Sequence, residues 1–194
     1  MLKLRAAAPA DAEVACEVFN AHDPDEPQDP AVTRHRWSVS SPDFLREHFL
    51  LEQNGRAVGF AFRGHEWWDR PDARFAFNEI RVIPEARDRQ EANVVYERLE
   101  GANVEEGAQT LMGRTREGFD WDIEVLEGRG YRYDRLSKAW ELDLVARRDQ
   151  LLALREDTRA EMRRQRIELL TEAAAADPEM LPKLHRLNGE TTHD

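Results

Sequence analysis

The strongest constraint on the fold of this chain lies in one stretch, Phe75 to Gly101, FAFNEIRVIPEARDRQEANVVYERLEG. Phe75 to Ile83 is rich in β-branched and aromatic residues, as a strand requires, and Pro84 stops the ladder because it has no N–H to donate. Helical spacing follows. Ala92, Val95, Tyr96, Leu99 and Ala102 fall at i, i+3, i+4, i+7 and i+10, one apolar stripe on an amphipathic helix. A strand that runs through a short turn into a helix presents the helix's first free N–H groups and the positive end of its dipole, a natural seat for a phosphate. Arg87 and Arg89 occupy that turn.

These residues resemble the GNAT family of acyl-CoA-dependent N-acyltransferases, whose pyrophosphate-binding signature reads V-x-P-x-x-R-x-x-G-x-G/A. Val82, Pro84, Arg87 and Ala92 match it, whereas Gln90 stands where the first glycine belongs and places a side chain beside a backbone that must approach a pyrophosphate. The rest of the order is similar to that family as well. Leu2 to Arg5 reads as a strand, and Pro9 and Asp11 open a helix that runs to Asn20. HDPDEPQDP, residues 22–30, is a loop by its three prolines, and its acids Asp23, Asp25 and Glu26 border the acceptor pocket in the family. Val32 to Val39 and Ser41 to His48 read as short helices. Phe49 to Gln53 and Ala57 to Gly64 form a hairpin whose Asn54-Gly55 suits a type I′ turn. Residues 67–72 connect this hairpin to the strand at Phe75. After the long helix, Gln109 to Arg114 reads as a strand, Glu117 to Gly128 as a helix stopped by glycine, and Arg132 to Leu136 with Lys138 to Leu144 as a closing pair of strands.

The expected fold class is therefore mixed α/β, a mainly antiparallel central sheet flanked by helices, with the GNAT acyltransferase fold over residues 1–145 and a C-terminal helical extension. Residues 146–166 read as a connector helix with Leu151, Leu154, Thr158, Met162 and Gln165 near heptad spacing. Residues 167–194 echo the N-terminus, a strand followed by an Ala-rich turn and a helix. This arrangement resembles the junction of a tandem-GNAT protein whose second domain is truncated. A lone strand and helix cannot bury their apolar faces, so a homodimer through the C-terminal extension is expected.

The resemblance implies an acetyl-CoA-dependent N-acetyltransferase, with acetyl-CoA or another acyl-CoA as co-substrate and a small-molecule amine or an amino terminus as acceptor. Carried over residue by residue, Ile80, Val82 and Ile83 would hold the pantetheine through backbone groups. The phosphate turn would be Arg87, Asp88, Arg89, Gln90, Glu91 and Ala92. Asp88 and Glu91 bring negative charge to that turn. Glu79 is the candidate general base, with His65 and Glu66 behind it, and the position of the family's proton-donating tyrosine falls on Leu126. Tyr131 and Tyr133 stand near it and are expected to pack in the core. Gln90, Leu126 and the truncated repeat also suit an alternative, a degenerate module that binds without catalysing.

Composition narrows the remaining classes. A net charge of −11 argues against nucleic acid as partner and is compatible with a cationic amine. No run approaches a membrane span and no apolar leader opens the chain, so no membrane and a cytoplasmic location are expected. No metal site is expected. The single Cys16, among Val14, Val18 and Phe19, reads as a buried small hydrophobe.

Overall fold

A computed structural model of the chain describes residues 1–39, 44–65, 74–138, 140–171, 174 and 177–191. Two compact units divide it, residues 1–134 and residues 135–194. In the first unit the described elements run β1 (Lys3–Ala6), α1 (Ala12–His22), α2 (Pro30–Ser38), β2 (Arg46–Gln53), β3 (Arg56–Gly64), β4 (Phe75–Val82), α3 (Arg89–Glu105), β5 (Thr110–Gly113) and α4 (Asp120–Gly128). The sheet order is β1-β2-β3-β4-β5, antiparallel except for the last pair, in which β4 and β5 run parallel. This is the mixed, mainly antiparallel sheet flanked by helices that the sequence calls for.

Turn chemistry sets the register of the meander. Asn54 and Gly55 both take positive φ, 53° and 77°, so the two-residue connection between β2 and β3 forms as expected and pairs Gln53 with Arg56. Side-chain alternation then divides the sheet into two faces. Leu50, Phe60 and Phe62 lie on the face covered by α1 and α2, where Phe19 meets Phe60 edge-on at 4.6 Å and Trp37 stacks on His48 at 4.5 Å. Ile80 and Val82 belong to the other face, which buries Ala92, Val95, Tyr96 and Leu99 of α3 with Val125 and Leu126 of α4. Cys16 is buried as expected and donates to Thr33 Oγ1 at 3.3 Å.

A buried polar chain crosses the second face at one level. Glu47 accepts from Arg63 Nε at 2.5 Å, and Arg63 Nη1 donates to Asn103 Oδ1 at 3.3 Å. Asn103 Nδ2 donates to Asn78 Oδ1 at 2.7 Å, and Asn78 Nδ2 to the Tyr131 hydroxyl at 3.2 Å. Tyr131 donates to Glu100, which Arg129 holds with two N–H groups at 2.9 and 2.5 Å. Asn78 and Asn103 are all but fully buried, and because each amide is paired the row ties α3 and the residues after α4 to the sheet.

Several boundaries differ from expectation. Pairing with β3 draws Arg46, Glu47 and His48 into β2, where the sequence suggested the end of a short helix; residues 40–43, which include its proposed start, lie outside the described residues, as do residues 66–73, which include Glu66 and the connection at 67–72. α1 continues to His22 because that ring finds buried partners. The expected closing strands at 132–136 and 138–144 form no ladder among the described residues, since alternation becomes a strand only where a neighbour supplies the hydrogen bonds. Tyr131 packs against the core while Tyr133 is exposed, contrary to the expected burial of both. In the second unit α5 spans Arg148–Gln165 and α6 spans Met180–Thr191. α5 starts later than expected because Asp143 caps a turn by accepting from Val145 and Ala146 N–H, and it ends at Arg166 in the left-handed region (φ 57°). Ile167 to Leu170 takes no strand, again for want of a described ladder. No helix among the described residues is long and apolar enough to cross a membrane.

Burial beside Trp37, with the charge of Arg46 adding to it, lowers the His48 pKa to about 4. The unfolded chain therefore takes up a proton that the folded chain refuses as pH falls from 6.5 to about 4, and stability declines across that window by about 3 kcal/mol. Urea unfolding measured across this range is expected to show the decline, and His48→Phe to flatten it.

Candidate functional site

The pairing of β4 with β5 covers Phe75↔Thr110, Ala76↔Leu111, Phe77↔Met112 and Asn78↔Gly113, and there it stops. Beyond that level no ladder joins Glu79 to Val82 with the residues after Gly113, so β4 has an unpaired edge at the C-terminal ends of two parallel strands, called the cleft below. Gly113 sits at the apex. A Cβ there would meet Leu126 Cδ2 at 3.0 Å and Tyr131 Cε1 at 3.6 Å, so the absence of a side chain lets α4 and Tyr131 close over the apex.

Strand geometry decides which backbone groups face this opening. Ile83 N–H donates to Val58 O on β3 at 3.0 Å, so Arg81 and Glu79, in phase with it, also turn their backbone toward β3. The N–H and C=O of Ile80 and Val82 then point the other way, into the cleft. Three side chains meet them. The buried Tyr96 hydroxyl is hydrogen-bonded by the backbone of Ile80, while its burial pushes the phenol far above the ordinary tyrosine range. Val82 O lies 3.2 Å from His22 Nδ1 and 3.4 Å from Arg87 Nε.

His22 is the centre of a small buried polar group. Its Nε2 lies 3.2 Å from Asp122 Oδ2 in the first turn of α4, and its ring meets Phe119 edge-on at 5.0 Å. Acceptors on both sides of one imidazole require a proton on each ring nitrogen or one on the carboxyl. Thr115 donates weakly to the same carboxylate, whose other oxygen is buried with no partner. Just outside, Arg116 Nη1 donates to both oxygens of the buried Asp23 at 2.9 Å and Nη2 reaches Asp25 at 3.4 Å. Two acids of the loop expected to attract a cationic amine are thus engaged by the chain's own arginine.

The remaining expected residues fall around the cleft. Pro84 to Ala86 make one 3-10 turn, and Asp88 caps α3 by accepting from Glu91 N–H at 2.9 Å. Arg89 and Gln90 precede any intrahelical acceptor, so their amides are the helix's open donors. Gln90 is exposed. Arg87 lies over the Trp121 ring at 5.5 Å, Arg89 pairs with Glu124, and one Glu91 oxygen binds the Met1 ammonium at 2.7 Å. Ala92 is fully buried, as close approach of the helix to the sheet demands. Glu79 follows the last paired residue directly, on the face of α1, and is ion-paired with Arg81. His65 is half-buried after β3, its Nδ1 buried without a partner. Leu126 is in the core and offers no proton. Tyr131, one turn past α4, has its phenol pushed up to about 12 by burial, with Asn78 and Glu100 on its hydroxyl.

An acyl-CoA would reach the cleft-facing backbone of Ile80 and Val82 by exchanging contacts with Tyr96, His22 and Arg87, and the α3 amides with Arg87 and Arg89 are the groups that could seat its anion. Asp88 shares that seat, so a phosphate oxygen must take over the Glu91 N–H from it. Tyr96, His22, Asp122 and Arg116 were not singled out by sequence reasoning. Tyr96 had been counted as one more apolar stripe residue, and no local signal pairs His22 with a carboxylate one hundred residues away.

No protein-family model matches the chain, and no curated protein matches it in sequence. Solved structures match its fold. They include a GNAT-superfamily phosphinothricin acetyltransferase from Sinorhizobium meliloti in complex with acetyl-CoA, 18% identical with a TM-score of 0.59 over 73% of this chain and 80% of that one. A ribosomal-protein-alanine N-acetyltransferase from Brucella melitensis biovar Abortus 2308 is 14% identical, with a TM-score of 0.58 over 73% of this chain and 100% of that one. An aminoglycoside N-acetyltransferase in complex with CoA is 16% identical, with a TM-score of 0.56 over 73% and 95%. The first unit has the GNAT acyltransferase fold.

Removing one member of a buried pair strands the other, at a cost of about 3 kcal/mol. Asp122→Leu is expected to lose about that much in urea unfolding, and the double replacement His22→Phe with Asp122→Leu to lose clearly less than the sum of the single replacements. Additive losses would mean that the two groups are not coupled.

Proposed function

We propose that this chain, with the fold of the GNAT acetyltransferases, transfers an acetyl group from acetyl-CoA, or another acyl group from an acyl-CoA, to a primary amine of a small molecule or an amino terminus. The observation that carries the proposal is the coincidence of two features. The strands part at Asn78 and Gly113, and the helix that opens its N-terminus with Arg87 and Arg89 beside it begins seven residues beyond Val82, at the mouth of the same cleft.

In this reading Ile80 and Val82 hold the pantetheine amides by their backbone, with Ile83 ending the strand. Arg87 and Arg89, with the amides of Arg89, Gln90 and, once Asp88 gives up its cap, Glu91, hold the pyrophosphate, and the small Ala92 lets the helix start approach it. Bound acetyl-CoA supplies the activated thioester. The protein's part is alignment, exclusion of water and handling of protons. Glu79 accepts the proton of the attacking amine as the new C–N bond forms and the C–S bond breaks, and it exchanges its bond to Arg81 for one to the amine. Leu126 brings no proton to the departing thiolate, so solvent supplies it.

Acetyl-CoA at 100 times its dissociation constant is expected to stabilise the protein by about 2.7 kcal/mol. Glu79→Gln should keep that stabilisation while the rate of acetyl-CoA consumption with an amine panel drops by roughly 10²- to 10⁴-fold. Absence of any thermal shift at millimolar acetyl-CoA overturns the enzyme reading and leaves the degenerate binding module.

The same reading assigns residues 1–145 to the transferase domain, 146–166 to a connector and 167–194 to the start of a second such domain, with a homodimer formed through this extension. Leu151, Leu154 and Met162 of α5 give it an apolar stripe. Light scattering on a size-exclusion column is expected to return twice the chain mass, and a monomer throughout the micromolar range would rule the dimer out.

A further inference from the structure

The Val82 carbonyl, which faces the cleft, is taken by the chain's own side chains. His22 Nδ1 donates to it at 3.2 Å and Arg87 Nε at 3.4 Å. The ring is held there from α4, where Asp122 Oδ2 lies 3.2 Å from Nε2 and Phe119 meets it edge-on at 5.0 Å. The next residue along the chain, Asp23, is gripped by Arg116 through both carboxylate oxygens. Beside the ring stands an acceptor that the chain does not fill. Asp122 is only 9% exposed, and its Oδ1 is buried with no partner among the described residues. Burying an acceptor unpaired is costly, so this place carries an unmet demand for an N–H or O–H donor. The same contacts fix a proton count. A carbonyl oxygen only accepts, so Nδ1 carries one proton, and a carboxylate oxygen 3.2 Å from the other ring nitrogen needs a second between them. His22 and Asp122 together therefore hold two protons, whichever of them carries the second.

We infer that His22 and Asp122 are ligand-binding residues of this cleft. The imidazole stands in for an amide N–H of the acyl-CoA on the Val82 oxygen, leaves that oxygen when the ligand's N–H arrives, and sheds one proton to solvent as it leaves. Asp122 Oδ1 takes a further donor of the ligand. The inference rests on the acyl-CoA reading of the cleft. Once Nδ1 has lost its acceptor, a proton left on it is a buried donor without a partner; one proton then suffices for the pair, on Nε2 and facing the carboxylate. The Asp122 carboxylate keeps Thr115 and Nε2–H and gains the ligand's donor at Oδ1. Other charged and titratable groups surround the ring. Arg116 reaches it through Asp23, and Arg87 shares the Val82 oxygen. On β4, Arg81 is paired with Glu79, and on α3 the Tyr96 phenol, pushed far above its ordinary range, keeps its proton. None of these changes its contact with the ring's proton when the imidazole moves. A binding step that releases a proton is favoured as pH rises, by up to about tenfold in affinity per pH unit for one proton.

The test titrates acetyl-CoA into the full chain by calorimetry near neutral pH, in Hepes and in Tris, whose different heats of ionisation convert released protons into a heat difference. Asp122→Asn is the matched control. An amide there donates to Nε2, so the pair needs only the Nδ1 proton and has none to shed, while any protons exchanged by the ligand's own phosphates are common to both proteins. The unaltered chain is expected to release close to one proton more than Asp122→Asn, and its affinity to rise with pH where that of the variant stays flat. The ring is followed directly by long-range ¹H–¹⁵N correlation, with the His22 signals assigned from their loss in His22→Asn. Nδ1 is expected to be protonated before acetyl-CoA is added and bare after it. Should a replacement fail to fold by circular dichroism, the Nδ1 signal of the unaltered chain decides alone. Equal proton release by the unaltered chain and Asp122→Asn, or an Nδ1 that stays protonated in the complex, overturns this inference and leaves the acyl-CoA reading standing. Binding by His22→Asn but not by the unaltered chain supports the stand-in, with the imidazole as a block that the ligand fails to displace. No binding by the unaltered chain or by either variant overturns the acyl-CoA reading and this inference with it.

Discussion

Most of what this protein offers to a ligand depends on β4 and β5 ceasing to pair at Asn78 and Gly113. A parallel pair that continued would bury its ladder and leave no exposed backbone. By stopping, it turns the N–H and C=O of Ile80 and Val82 into a row of donors and acceptors at the end of the sheet. The polar chain from Glu47 through Arg63, Asn103 and Asn78 to Tyr131 crosses the sheet at that level, and each amide in it is satisfied. Such a row is costly if broken and rigid when complete, so it fixes where the strands part. Gly113 contributes by omission, since the space a Cβ would fill is taken by Leu126 and Tyr131.

The two faces of the sheet then carry different chemistry. On the α3 side the cleft is lined by backbone and by groups that grip it, the Tyr96 phenol at Ile80 and the His22 and Arg87 nitrogens at Val82. On the α1 side the same strand presents Glu79 and Arg81 among aromatic rings. Period-two alternation along eight residues of β4 thus supplies both a backbone seat and a side-chain site without any further element. Arg87 over Trp121 and Arg89 with Glu124 link the first turn of α3 to α4, and His22 with Asp122 links α1 to α4. The cleft is bounded by polar contacts that a ligand is able to exchange rather than by apolar packing that it would have to break.

Much of this was legible along the chain because it is local. The Asn-Gly hairpin, the strand ending at proline, and the stripe of Ala92, Val95, Tyr96 and Leu99 each follow from the backbone preference or spacing of a few neighbouring residues, and each formed. Other features escaped because they are set by partners far away. His48 looked helical from its neighbours but was taken into β2 by its pairing with Phe62. Residues 132–144 alternate like strands, yet no described ladder accepts them. His22 ended a helix rather than beginning a loop because Val82 and Asp122, sixty and one hundred residues on, hold its ring.

The sequence by itself determined the order of strand, turn and helix around Pro84, the amphipathic face of α3, the hairpin, and the set of residues placed around a candidate phosphate turn, since propensity, proline and periodicity act within a few residues. Tertiary structure alone decided where β4 and β5 part, that Arg116 engages the acidic loop, and that the His22 ring meets Val82 and Asp122. These are encounters between segments separated by tens of residues, and their distances exist only once the sheet has set its register.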